Sequence, residues 1–180
     1  LELAAAHALV RLALEQMTGA PASAWKVRRD SMGRPLVEGP VEHMNVSITH
    51  TPGLVACLVA ARRVVGADAE QVSPRVPYMR IAEQVFSPGE LAHLKGLDEK
   101  ARIDRFFLLW SVKEAFAKAR GEGLAAPLDK IEVELAPDGV VQMLMPPEIT
   151  GGGDAWHVRW SRPSAEHVMA TCVHSPDGRR

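Results

Sequence analysis

The apolar pattern of this chain passes from helical to strand period twice. Leu1 to Met17 is rich in Ala and Leu, holds no Pro or Gly, and is apolar on all sides, which predicts a helix. Thr18-Gly19-Ala20-Pro21 stops it. Strand-like segments follow at Trp25–Arg29, Met44–His50 and Val64–Glu70, the near-continuous apolar run Leu54–Ala61 suits a strand covered on both faces or a buried helix piece, and turns fall at Asp30–Pro35 and Thr51-Pro52-Gly53. Helical spacing then returns at Met79–Val85, Pro88–Lys95 and Lys100–Arg120, the last ended by Gly121 and Gly123. Ser87 followed three residues later by Glu90 reads as a capping box. Alternation resumes at Ile131–Leu135, Val140–Met145, Ala155–Trp160 and His167–Val173. Pro137-Asp138-Gly139 and Gly151-Gly152-Gly153 are the turns of that region. No sequence repeat is evident, yet both halves read helix first and strands after. That order predicts an α+β chain whose strands pair as antiparallel hairpins.

At 180 residues this is one domain or two small halves sharing a core, large enough to need no disulfide. Lys and Arg total 21 against 22 Asp and Glu, which argues against a general polyanion-binding surface but leaves room for a local basic pocket. No nucleic-acid partner is expected. No uninterrupted apolar stretch of about 18 residues exists, so no membrane span is predicted, and no signal-peptide pattern is present. Cys57 and Cys172 sit in apolar runs and read as buried free thiols, consistent with a reducing, cytoplasmic setting. The chain starts at Leu1 rather than Met, so a trimmed chain or a domain cut from something larger is expected.

Asp68 and Glu70 stand two residues apart, which on a strand points both carboxylates to one face. Val64, Val65, Ala67 and Ala69 make that neighbourhood apolar. Two like charges there repel and are poorly solvated, so a hard divalent cation between them is one reading. A strand end with two solvated acids is the other. In the long helix, Phe107, Trp110, Glu114 and Lys118 fall on one stripe. Phe107 and Trp110 are its buried end, which aims Glu114 and Lys118 at the interior or a cleft. A third carboxylate beside a lysine suits a magnesium ion holding a diphosphate. The alternative is a surface Glu–Lys pair worth about 0.2–0.5 kcal/mol. His50, between Thr49 and Thr51 at a strand end, is a candidate phosphate donor or a structural histidine. Arg34, in Gly33-Arg34-Pro35, is a turn arginine that is either solvated or a ligand contact.

Taken in order, these segments resemble a known family. Val65-Gly66-Ala67-Asp68-Ala69-Glu70, Phe86-Ser87-Pro88-Gly89-Glu90, Trp110-Ser111-Val112-Lys113-Glu114-Ala115-Phe116-Ala117-Lys118 and Gly121-Glu122-Gly123-Leu124 are similar to the signature of the 4′-phosphopantetheinyl transferase superfamily. Gly33-Arg34-Pro35 and Ile48-Thr49-His50-Thr51 resemble the two upstream segments of its surfactin-type, monomeric group. The likeness runs from about Val10 to Val173. Ala69 replaces a larger apolar residue, and the basic residues of the family's first helix are poorly matched by His7 and Arg11.

The resemblance implies a pseudo-dimer of two similar α/β halves. Residues 1–65 would serve the adenosine end of coenzyme A and residues 66–180 the acids, with the active site in the cleft between. It implies transfer of the phosphopantetheine arm of coenzyme A to a serine of an apo acyl, peptidyl or polyketide carrier protein, with Mg²⁺ as cofactor. Asp68, Glu70 and Glu114 match the magnesium ligands. Lys118 matches the diphosphate lysine, and Glu114, directly or through water, is the candidate general base. Thr49 and His50 match the 3′-phosphate region, and Arg34 the adenosine end. A monomer or a domain of a larger synthase is implied. Arg75-Val76-Pro77-Tyr78-Met79-Arg80, which is both basic and apolar, is a candidate surface for the acidic carrier helix. Two other readings use the same residues: a magnesium-dependent phosphohydrolase of nucleotide diphosphates, and a non-catalytic carrier-binding domain.

Overall fold

The computed structural model describes residues 2–31, 33–150 and 155–175. Its elements are α1 (Glu2–Thr18), β1 (Lys26–Arg29), β2 (Pro35–Glu38), β3 (Met44–Thr51), β4 (Leu54–Ala61), β5 (Val64–Gln71), α2 (Tyr78–Val85), α3 (Pro88–Gly96), α4 (Glu99–Arg120), β6 (Glu132–Leu135), β7 (Val140–Leu144), α5 (Pro147–Thr150), β8 (Ala155–Ser164) and β9 (His167–Ser175). The architecture is α+β with antiparallel sheets. β1–β2 and β3–β4 form two-stranded pairs, and a five-stranded sheet runs β5-β9-β8-β7-β6. The expected strands and helices are present within a few residues at each end. β8 runs on to Ser164 through an irregularity between Ser161 and Ser164. The turn expected at 151–153 lies outside the described residues, as does Leu1, the expected start of α1.

Two cores result. The small one joins α1 to the β3–β4 hairpin through Val10, Leu14, Trp25, Met44 and Val46. The Arg11 Nε donates to the Trp25 carbonyl at 3.0 Å, so this arginine anchors a turn. The large core lies between α4 and the five-stranded sheet, with Phe106, Leu109, Val112 and Phe116 against Val168, Ala170 and Cys172. Cys172 is a buried free thiol and Cys57 a half-buried one.

β5 is an edge strand whose outward amides need partners. It runs beside β3 without a main-chain ladder. Instead the amides of Ala67, Ala69 and Gln71 donate to the hydroxyls of Ser47, Thr49 and Thr51 at 2.9, 3.0 and 3.1 Å. Both strands advance by two residues per rung, so they run parallel. At the far end His167 Nε2 lies 2.8 Å from the Pro52 carbonyl, tying the β3–β4 turn to β9.

The Ser87–Glu90 capping box forms as expected and carries more than a cap. Glu90 Oε2 is 2.6 Å from Lys113 Nζ, and Lys113 is 1 % exposed. Lys113 also donates to the carbonyls of Leu128 and Ile131 at 2.7 and 2.8 Å. Glu90 Oε1 accepts the Val133 amide. One buried ion pair thus joins α3, α4 and the entry to β6. Lys113→Ala strands a buried carboxylate, so denaturant unfolding is expected to show a loss of about 3–5 kcal/mol. Lys113→Met with Glu90→Gln is expected to lose less, because no uncompensated charge stays buried.

Candidate active site

Gly66 sets the distance between β5 and α4. A Cβ at this position would collide with the Ala115 carbonyl and the Ala119 amide. The close approach brings Asp68 and Glu70 beside the exposed end of the α4 stripe. α4 ends one turn later at Gly121, whose φ of 73° is left-handed and whose amide bonds back to the Ala117 carbonyl at 2.9 Å.

A cleft of about 460 Å³ opens where β3, β5, α4 and the β1–β2 turn meet. Thr49, His50, Asp68, Glu70, Glu114 and Lys118 all line it. Arg34 lines an adjoining cavity of about 420 Å³ with Ser47, Gly121 and Glu122, and its guanidinium lies against Gly121 at the end of α4. The Arg34 amide donates to Asp30 Oδ1 at 2.8 Å, which fixes the turn. His50 is exposed on the cleft rim. All seven residues singled out in the sequence therefore border two connected hollows, which share Gly33, Pro35, Ile48 and Lys118.

Lys118 pairs with Asp68 rather than with Glu114. Its Nζ is 2.6 Å from Asp68 Oδ1. The same oxygen accepts the Thr49 hydroxyl at 3.4 Å. Trp110 Nε1 donates to Glu70 Oε1 at 2.9 Å. Asp68 Oδ2 and Glu114 Oε1 are buried with no hydrogen-bond partner among the described residues. Burial pushes the Asp68 carboxyl up, against the pull of the Lys118 ammonium. Burial also raises Glu114, with the charge of Asp68 adding to the effect. Glu70 is pushed up to about 7, first by burial and then by Asp68, with Trp110 and Lys118 opposing.

Three carboxylates that share one cleft, resist ionisation and leave two oxygens unpartnered have the donor chemistry of a hard divalent cation site. Among the described residues no group of three or more His, Cys, Asp or Glu side chains is already drawn together around a common point. Among the described residues the positive charge in contact with Asp68 is the Lys118 ammonium.

The Glu70 shift fixes a pH dependence. Its folded value of about 7 lies above its ordinary 4.5, so folding favours the protonated acid. That contribution is complete below about 4.5 and is lost as pH rises through about 7. Thermal melts in EDTA are expected to fall from pH 5 to pH 8, and Glu70→Gln, which still accepts from Trp110, is expected to flatten the decline. An unchanged slope in that variant would refute the assignment.

Some contributors carry no mark in the sequence. Arg29 lines the cleft from β1, and Trp110 is a hydrogen-bond donor to Glu70 as well as a packing residue. The helical stripe did contain Trp110. What it could not show is a partner forty positions away. In the basic and apolar segment after β5, Val76, Tyr78 and Met79 pack on the main core, while Arg75, Pro77 and Arg80 are exposed. Among the described residues no helix is long and apolar enough to cross a membrane.

The fold and cleft define a class. The sequence profile of the 4′-phosphopantetheinyl transferase superfamily matches residues 64–172, and the chain belongs to this family of transferases. A 4′-phosphopantetheinyl transferase of Bacillus subtilis is 31% identical over 170 residues, covering 94% of this chain and 72% of the relative. The 4′-phosphopantetheinyl transferase Sfp of the same species is 32% identical over 146 residues, and the match covers 81% of this chain and 61% of Sfp. The 4′-phosphopantetheinyl transferase HetI of a Nostoc species is 28% identical, with 94% and 69% covered. Among solved structures, the holo-(acyl-carrier-protein) synthase of Bacillus anthracis, crystallised with CoA (3′,5′-ADP), superposes with a TM-score of 0.51 at 23% identity. That match covers 62% of this chain and 96% of the synthase, and it is a likeness of fold.

Proposed function

We propose that this chain transfers the 4′-phosphopantetheine arm of coenzyme A to a serine hydroxyl of an apo acyl, peptidyl or polyketide carrier protein, and releases adenosine 3′,5′-bisphosphate. The observation that carries this reading is the cleft in which Asp68, Glu70, Glu114 and Lys118 meet, with Asp68 Oδ2 and Glu114 Oε1 buried and unpartnered.

The reaction joins the serine Oγ to the β-phosphorus and breaks the bond from that phosphorus to the bridging oxygen. The bridging oxygen leaves with the α-phosphate and takes the developing charge. Glu114 accepts the serine proton, and its raised pKa makes it a better base near neutral pH than a solvated carboxylate. Lys118, freed from Asp68, stabilises the charge growing on the diphosphate. Arg34 and His50 serve the adenosine end from the adjoining cavity and the rim. Asp68, Glu70 and Glu114 would hold Mg²⁺, which supplies the neutralisation that lets an oxygen nucleophile approach a diphosphate anion. The two segments 1–65 and 66–180 divide the work, the first facing the adenosine end and the second holding the acids. Arg75 and Arg80 are outward charges suited to an acidic carrier helix.

The test is mass spectrometry of purified apo-carrier proteins incubated with the chain, coenzyme A and Mg²⁺. A mass gain of one phosphopantetheine arm is expected, and loss of the gain when Mg²⁺ is chelated. Hydrolysis of coenzyme A without a mass gain would identify a phosphohydrolase instead. Carrier binding with coenzyme A left intact would identify a non-catalytic domain.

A further inference from the structure

The geometry points to Thr49 as a positioning residue that fixes which oxygen of Asp68 is presented to a cation, an inference that rests on the proposed Mg²⁺-dependent transfer. Thr49 is buried, and both sides of its hydroxyl are engaged inside the protein. It accepts the Ala69 amide at 3.0 Å and gives its single proton to Asp68 Oδ1 at 3.4 Å. The Lys118 ammonium holds the same Oδ1 at 2.6 Å. Two donors on one oxygen turn the carboxylate so that Oδ2 is the buried atom left without a partner.

The orientation is set by the main chain. Ser47 and Thr51 repeat the amide contact on either side but, among the described residues, reach no carboxylate, so it is the middle rung of the β3–β5 seam that couples to the acids. Lys118 has to leave Asp68 if it is to meet a diphosphate. The Thr49 hydroxyl is then the protein donor that keeps Oδ1 and prevents the carboxylate from turning over. Partners of this kind, one bond removed from a metal, change affinity by about 10–100-fold when deleted. Thr49 therefore acts on the cation through Asp68.

The experiment compares Thr49→Val, Thr49→Ser and Thr51→Val in the full chain. Two quantities are read: the Mg²⁺ midpoint for thermal stabilisation in the presence of coenzyme A without carrier, and the kcat and KM for transfer. Thr49→Val is expected to raise the Mg²⁺ midpoint by about tenfold or more. It is also expected to lower kcat more than it raises the KM for coenzyme A. Thr49→Ser keeps the hydroxyl and is expected to recover most of both. Thr51→Val removes a rung without touching an acid and is expected to lower the melting temperature with no shift in the Mg²⁺ midpoint. Equal behaviour of Thr49→Val and Thr51→Val would overturn the inference, as would a defect confined to the KM for coenzyme A. If Thr49→Val melts below the assay temperature, Thr49→Cys, whose thiol is a weak donor, takes its place with the same expected shift. A wild-type chain that fails to modify any carrier would sink the transferase reading. The Mg²⁺ midpoints, measured without carrier, would still decide the role of Thr49.

Discussion

Lys118→Ala is expected to lower kcat by on the order of 10²-fold or more with the fold retained. The structure supplies a reason why folding survives. Lys118 is one-third exposed, and its partner Asp68 already resists ionisation through burial. Without the ammonium, burial favours the protonated acid at Asp68, so less charge is left stranded. The melting temperature is therefore expected to fall only slightly. The catalytic loss is different in kind, because charge on the diphosphate grows only as the bond breaks. The KM for coenzyme A is therefore expected to rise less than kcat falls. Lys118→Arg is expected to rescue in part, since a planar fork does not reproduce a compact ammonium beside a diphosphate. Steady-state transfer to one carrier, run alongside thermal melts, checks this. A wild-type kcat with a small drop in melting temperature would reduce Lys118 to a structural partner of Asp68.

Glu114→Gln is expected to lower kcat by about 10²–10⁴-fold, the range for a positioned general base. The variant is isosteric and removes a buried charge that has no hydrogen-bond partner on Oε1. Melting of the metal-free chain is therefore expected to hold or rise. That pairing of outcomes, slower chemistry in an equally stable protein, separates a catalytic carboxylate from a structural one. Retained turnover at saturating Mg²⁺ would remove Glu114 from the mechanism.

The sequence shows the α4 stripe and the Asp68–Glu70 pair plainly, because 3.6-residue and 2-residue periods are local. Gly66 and Gly121 could also be read as punctuation, though only the fold shows that Gly66 lets a strand reach α4 and that Gly121 is a left-handed stop. β2 was not legible. It is four residues long, begins at Pro35, and sets its apolar Leu36 and Val37 side by side, so no alternation shows in the residue types. The partner of Lys118 was hidden for another reason. Helical spacing favours Glu114 at i−4, whereas the fold delivers Asp68 from fifty positions away at 2.6 Å. The Lys113–Glu90 pair was masked in the same way, since the capping box already accounted for Glu90. Strand alternation left the hydroxyls of Ser47, Thr49 and Thr51 without a purpose, because hydroxyls facing a neighbouring strand look like any polar face.

A main-chain ladder is indifferent to sequence, and any residue but proline can take part in one. The contact between β3 and β5 works under another rule, since each rung needs an oxygen carried on a short side chain. Such a contact can be edited one position at a time, and it dictates spelling: Ser or Thr at three alternate places, twenty residues ahead of the amides they receive. An insertion of one residue within either strand reverses the alternation beyond it, so the rungs on that side lose their match. The stretch from 47 to 71 is thus a measured length of chain, and its tolerance to insertion should be confined to the turns at 52–53 and 62–63.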